Sequence, residues 1–237
     1  GIGTVQDVTD RKAMEEQIHK ILSQTRAIAK LSEYVSHADS LEYIYEAALD
    51  TLQQTLGCDR ASILLFDPDG VIRFKAVRGI SDAYIKGFTG HSPWKPEEQN
   101  AQPILVPDEE EWEDGKTLVH EFRKEGIRAL AFIPLTYQDR LLGEFMVYFN
   151  SPHFFSEEEV RLAQTIAYHV GYGIVQKQAE AALRESEQRW RFALEGGGDT
   201  VWDWNLETNQ VALSKGGHEM FGFAEGEIGQ SMSAWGA

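Results

Sequence analysis

The stretch from Gly126 to Asn150 constrains this chain more than any other: two long apolar runs joined at Tyr137-Gln138-Asp139-Arg140. Read as strands, the first points Leu130 and Phe132 one way and Ala131 and Ile133 the other. In the second, Phe145, Val147 and Phe149 oppose Met146 and Tyr148. Neither face is polar. Strands that are apolar on both sides must be covered on both sides, so this hairpin belongs in the middle layer of a sandwich. Pro134 has no donor for a ladder, which places it at a bulge or with its nitrogen turned from the partner strand.

The other elements must supply the two covers. Asp39-Ser40-Leu41-Glu42 opens a helix whose apolar residues Leu41, Ile44, Ala48, Leu49, Leu52 and Leu56 share one face and which stops at Gly57. Ala61–Phe66 and Val71–Val77 form a second hairpin around the turn signal Asp67-Pro68-Asp69-Gly70. Ser81–Phe88 is a short helix, and residues 90–102, with Pro93, Pro96 and no periodicity, form a loop over the sheet. Pro103 and Pro107 bracket a brief edge strand. The acidic run from Asp108 to Asp114, whose patch Asp108-Glu109-Glu110-Glu111 reads as a solvated loop sooner than a divalent-cation site, leads to a helix near Lys116–Glu125 with Val119 and Phe122 facing inward.

Both flanks read as long helices. Thr4 to Asp10 resembles a strand end followed by a helix cap. From Met14, apolar or small residues recur in a heptad stripe: Met14, Ile18, Ile21, Thr25, Ile28, Ser32 and Val35. The stripe fits a helix packed on its own domain and equally a parallel helix pair between two chains. At the other end, Ser156-Glu157-Glu158-Glu159 caps a helix with no stop signal until about Leu194, roughly 57 Å long. Its first half carries Leu162, Ile166, Val170 and Ile174, and its second half is charged. Gly171 and Gly173 in its middle point to close backbone approach there. Beyond the breaker Gly196-Gly197-Gly198, residues 200–205 and 210–214 alternate as two strands, and Glu219–Gly222 begins a short helix.

Composition narrows the function classes. A formal charge of −16 disfavours nucleic acid and anionic membrane surfaces as partners. No apolar run approaches the roughly 20 residues of a membrane span. One cysteine, Cys58, leaves no internal disulfide or multi-cysteine metal site, which fits a cytoplasmic setting. The opening Gly1-Ile2-Gly3 carries no signal-peptide pattern and reads as a cut inside a longer protein.

The element order, with the strings Cys58-Asp59-Arg60-Ala61-Ser62, His91-Ser92-Pro93-Trp94, Ile104-Leu105-Val106-Pro107-Asp108, Gly126 through Leu135 and Leu142-Gly143, resembles the GAF domain of bacterial multi-domain sensors. The resemblance implies an α+β sandwich: a central antiparallel sheet of about six strands, long terminal helices on one face, and short helices, loops and a pocket on the other. Gly3 to Lys12 is similar to the exit of a PAS domain, and Arg184 through Trp204 to the opening of another. The implied order is the end of a PAS-like domain at 1–10, a linker helix at 11–37, the GAF domain at 38–176, a connector helix at 177–195 and a truncated PAS-like start at 196–237. Chains of this order usually end in a cyclic-di-GMP synthase or histidine kinase. Gly197-Gly198-Asp199 lacks the Glu-Phe that would complete a cyclase loop.

In such domains the helix and loop carrying Tyr84, Phe88, His91 and Trp94 roof the pocket, and Arg128 and Tyr148 are candidates for its floor. Aromatic rings with one histidine and one arginine suit a flat, partly anionic or hydrogen-bonding ligand. Trp94 could equally plug the space. Cys58 precedes the first strand and reads as a buried structural thiol, not a bilin attachment point. No nucleophile triad, phosphate loop or paired carboxylates point to catalysis, and no cofactor is required. The expectation is a non-catalytic sensory module working as a parallel homodimer, with a small-molecule ligand possible. The alternatives are a chromophore- or cofactor-binding domain and a structural spacer.

Overall fold

A computed structural model describes residues 2–112, 116–196, 202–205 and 207–213. In order they form α1 (Ile2–His37), α2 (Leu41–Leu56), β1 (Arg60–Phe66), β2 (Ile72–Arg78), α3 (Asp82–Phe88), β3 (Ile104–Val106), α4 (Lys116–Glu125), β4 (Ala129–Tyr137), β5 (Arg140–Phe149), α5 (Glu157–Gly196), β6 (Trp202–Asn205) and β7 (Gln210–Leu213). The chain divides into two compact units at Lys177/Gln178.

In the first unit β2-β1-β5-β4-β3 make one antiparallel sheet. It has five strands where about six were expected. All five are the ones legible as apolar runs; the sixth came only from the resemblance. The β4–β5 hairpin turns at Gln138 and Asp139, both with positive φ (47° and 64°), as the tight turns that match strand twist require. β3 pairs only with Leu130–Phe132, so the outer edge of β4 is free at Pro134, and a bulge follows at Leu135/Thr136.

Strand alternation divides the core as expected. Ala129, Ala131, Ile133, Phe145, Val147 and Phe149 pack with Leu31 and Val35 of α1, with α2, and with Leu162, Ile166, Val170 and Ile174 of α5. Leu130, Phe132, Met146 and Tyr148 pack on the other side with Tyr84, Phe88 and Phe122. The caps act locally. Ser40 Oγ accepts from Tyr43 N, and Gly57 ends α2 in the left-handed region at φ 66°. At the start of α5, Ser156 N and Oγ both donate to Glu159 Oε2 while Glu159 N donates back to Ser156 Oγ.

The three-helix junction depends on Gly173. A Cβ there would lie 2.5 Å from Val35 Cγ1 and 3.2 Å from Ile44 Cδ1, so a hydrogen is what lets α5 approach α1 and α2 this closely. The close approach expected in mid-helix is met with two neighbours.

Two expectations fail. Residues 2–10 continue α1 and are not a strand end; none of the described residues pairs with them, and only a helix satisfies such a backbone locally. The acidic run is not simply solvated. Asp108 and Glu110 ion-pair with Arg128 at 2.9 and 3.5 Å, and Glu109, 2% exposed, takes Arg123 at 3.1 Å.

The heptad stripe splits. Val35 is buried on the chain's own sheet cover and Ile28 and Ser32 are half-buried, whereas Thr25 is exposed and Met14, Ile18 and Ile21 are 67%, 50% and 46% exposed, with Leu22, outside the stripe, at 60%. In the second unit, residues 178–191 of α5 are exposed, and β6 pairs with β7 from Trp202↔Leu213 to Asn205↔Gln210. The expected helix at Glu219–Gly222 lies outside the described residues.

Candidate functional site

The sheet face opposite the long helices is roofed by α3, α4 and residues 89–103. Ser81 caps α3, accepting from Tyr84 N, and so orients Tyr84 and Phe88 toward the sheet. Their rings stack with centroids 5.3 Å apart, and Tyr84 meets Tyr148 edge-on at 5.9 Å. Phe122 of α4 closes the group at 6.2 Å from Tyr84 and 6.0 Å from Phe88. Trp112 stacks on Phe122 at 5.9 Å. Edge-to-face and offset pairs of this kind add about 0.5–1.5 kcal/mol each beyond their burial, which makes the roof a packed layer.

Of the six sequence-derived site residues, Tyr84, Phe88 and Tyr148 come together here, 2%, 0% and 0% exposed. Trp94 is half-buried at the rim of the same cluster. His91 is exposed; its Nδ1 lies 3.3 Å from Phe88 O and its ring 6.1 Å from that of Phe88. Arg128 does not line a floor. It sits just before β4, where its guanidinium turns to half-buried Asp108 and exposed Glu110, because these carboxylates compensate its charge and the aromatic layer does not.

Sequence reasoning missed Glu144. It is fully buried on β5, on the Leu64 and Met146 side of the sheet. Ser92 Oγ, from the 89–103 segment, donates to Glu144 Oε2 at 2.7 Å and also accepts from Trp94 N at 3.2 Å. Oε1 has no hydrogen-bond partner among the described residues. Burial pushes the carboxyl up to about 8, with only the Ser92 hydrogen bond opposing. The signal was present: one acid inside Leu-Leu-Gly-Glu-Phe-Met-Val, at a position where strand alternation points inward.

Around it, Tyr148 Oη and Ser62 Oγ share a hydrogen bond of 2.8 Å, and Tyr148 Oη lies 3.2 Å from Met146 Sδ. Tyr84 Oη has no hydrogen-bond partner among the described residues. Burial raises both phenols above their ordinary range, so both stay protonated.

Cys58 packs among the residues of the helical face, 5% exposed, and burial pushes its thiol up to about 12. A thiol so protonated and so far from solvent is a poor nucleophile. The helical face also holds a cavity of about 10 Å³ between Leu56, Ile133, Phe149, His153 and Phe155, room for one water at most. Among the described residues no group of three or more His, Cys, Asp or Glu is placed to hold a metal ion, and no helix is long and apolar enough to cross a membrane.

This architecture has many solved counterparts. A domain assigned to a two-component sensor histidine kinase of Sinorhizobium meliloti 1021 is 44% identical, with 62% of this chain covering 99% of that one at a TM-score of 0.58. The GAF domain of a phosphoenolpyruvate-protein phosphotransferase from Coxiella burnetii is 21% identical, with 68% and 98% covered and a TM-score of 0.55. A GAF domain of Synechocystis sp. PCC6803, solved in its photoproduct state, is 24% identical, with 61% and 99% covered and a TM-score of 0.52. These last two share the fold. Among curated proteins, hybrid signal transduction histidine kinase A of Dictyostelium discoideum is 47% identical over 38 residues, which span 16% of this chain and 2% of that protein. The family model for the GAF domain matches residues 40–174, from the cap of α2 to the middle of α5. With more than half its length inside that match and a 44% identical counterpart covered end to end, the chain belongs to the GAF domain family.

Proposed function

We propose that this chain is a non-catalytic sensory and regulatory module of a signal-transduction protein, working in the cytoplasm as a parallel homodimer. The state of its roofed sheet, set by a ligand or a neighbouring domain, biases the relative position of α1 and α5. The observation that carries this reading is the junction at Gly173, where α5 touches Val35 of α1 and Ile44 of α2. Helices in van der Waals contact move together or repack, so a change in the sheet cover is passed to both.

Two further features support it. Met14, Ile18 and Ile21 keep heptad spacing on α1 and stay exposed, as expected of the seam of a helix pair. The 40-residue α5 spans about 60 Å, more than covering one sheet needs. Residues 196–237 are read as a piece of a flanking PAS-like domain, and the output as a histidine kinase or diguanylate cyclase carried elsewhere in the parent protein.

The test is sedimentation equilibrium of the 237-residue chain, followed by spin-label distances between the α1 helices and between the α5 helices of the two protomers. A dimer whose α5 separation changes with ligand or flanking domain is expected. A monomer at high concentration overturns the reading.

A further inference from the structure

The ligand-binding charge of this site is inverted relative to what its sequence suggests. Arg128, the cation once available for an anionic ligand, is spent on Asp108 and Glu110, and His91 faces solvent. What remains under the roof is a carboxyl group. Glu144 is 0% exposed, makes one hydrogen bond, from Ser92, and forms no ion pair among the described residues. A buried carboxylate without a counter-charge is costly, and one lacking half its hydrogen bonds is costlier.

We propose that the site beneath residues 89–103 takes a planar cationic ligand, an amidinium or a protonated heteroaromatic amine, with Glu144 as its anionic anchor. This deepens the sensory reading and rests on it for the existence of a ligand. Two independent observations point to this chemistry. Glu144 Oε1 is a buried acceptor without a donor, and a charged N–H supplies both the missing hydrogen bond and the missing charge. Trp94, whose backbone N–H meets the same Ser92 Oγ and whose side chain is half-buried at the rim of the aromatic cluster, offers a partly open π face that attracts a flat cation and leaves an anion unsolvated.

Entry requires the covering segment to lift, and that segment is weakly held. Residues 89–103 lie between α3 and β3 with mostly exposed side chains, and among the described residues they are tied to the sheet by the Gly90 N to Ile72 O and Ser92 Oγ to Glu144 Oε2 hydrogen bonds and by the packing of Trp94. Segments with few buried contacts open at small cost. The incoming cation takes the place of Ser92, and the carboxyl, protonated in the free chain, gives its proton to solvent as the ion pair forms, so ligand binding and release of the segment are one event. Trp94, whose N–H donates to Ser92 Oγ, moves with it.

The test uses three probes of one shape: benzamidine, neutral benzamide and anionic benzoate. Thermal unfolding and calorimetry of the wild-type chain are expected to show benzamidine stabilising it in a dose-dependent way, with affinity at least about tenfold above benzamide and no effect of benzoate. The Glu144→Gln variant is expected to bind benzamidine and benzamide alike, while Trp94 indole N–H shifts in NMR spectra of the wild type locate the site. Equal binding of the three probes by the wild type, preference for benzoate, or no binding of any probe overturns the proposal. These outcomes leave the helix relay to stand or fall on its own distance measurements, since a relay driven by a neighbouring domain needs no cation.

Discussion

Ser92 Oγ donates a 2.7 Å hydrogen bond to Glu144 Oε2, tying an irregular covering segment to the middle strand of the sheet across 52 residues of sequence. The carboxyl it holds is fully buried, and burial raises it from the ordinary value of 4.5 to about 8. Folding therefore favours the protonated form. The associated stability is fully present below the unfolded value near 4.5 and is lost as pH rises through the folded value near 8. Thermal or urea unfolding between pH 5 and 9 is expected to show stability falling with pH and levelling above about 8, by up to about 1.4 kcal/mol per pH unit. In Glu144→Gln this component of the slope disappears. Identical slopes in the two proteins would show that the carboxyl is solvated.

Gly173→Ala is expected to destabilise the chain by about 1–3 kcal/mol, although alanine is the better helix former. The new methyl meets Val35 Cγ1 at 2.5 Å. Val35→Ala in the same chain is expected to recover part of that loss, and urea unfolding of the two single variants and the double variant measures the coupling. Additive effects would mean that α1 and α5 do not touch there.

Replacing Ile18 and Ile21 by lysine is expected to convert the proposed dimer to monomer without changing the unfolding midpoint of the monomeric domain, because both side chains are about half exposed within one chain. Sedimentation velocity at several concentrations reads the association, and circular dichroism reads the fold. Dimers that persist in the variant would place the interface elsewhere.

Arg128→Met is expected to leave the unfolding midpoint nearly unchanged, since the Arg128–Asp108 and Arg128–Glu110 pairs are partly solvent-exposed. Benzamidine binding, measured by calorimetry, should be unchanged. A large loss of affinity would return Arg128 to the site.

Cys58 should resist thiol reagents in the folded chain and react fully in denaturant, because its thiol is buried and pushed up to about 12. Timed labelling with a disulfide reagent measures this. Rapid reaction without denaturant would reopen Cys58 as an attachment point.

Local signals carried far. The two-faced apolar pattern of residues 129–149 demanded the double cover that α1, α2 and α5 on one side and α3 and α4 on the other supply. Ser40, Gly57, Ser81 and Ser156 marked helix ends where the structure has them. Thr4–Val8 misled, because a β-like string makes a strand only where a partner exists. Tyr84, Phe88 and Tyr148 were legible as inward-facing aromatics. The strand pattern marked Glu144 as inward-facing too, but the partners of Arg128 and Glu144 were not legible, because the fate of a charge depends on what the fold brings within reach.

The amino-acid sequence by itself determined the elements, their ends and the two apolar faces of the sheet, since propensity, capping and side-chain alternation act over a few residues. Only the tertiary structure decided that Arg128 turns to Asp108, that Glu144 stays beneath Ser92 with an oxygen to spare, and that Gly173 meets Val35. Those are relations between residues distant in the chain, and burial and Coulomb energies exist for them only once the sheet and its covers have closed.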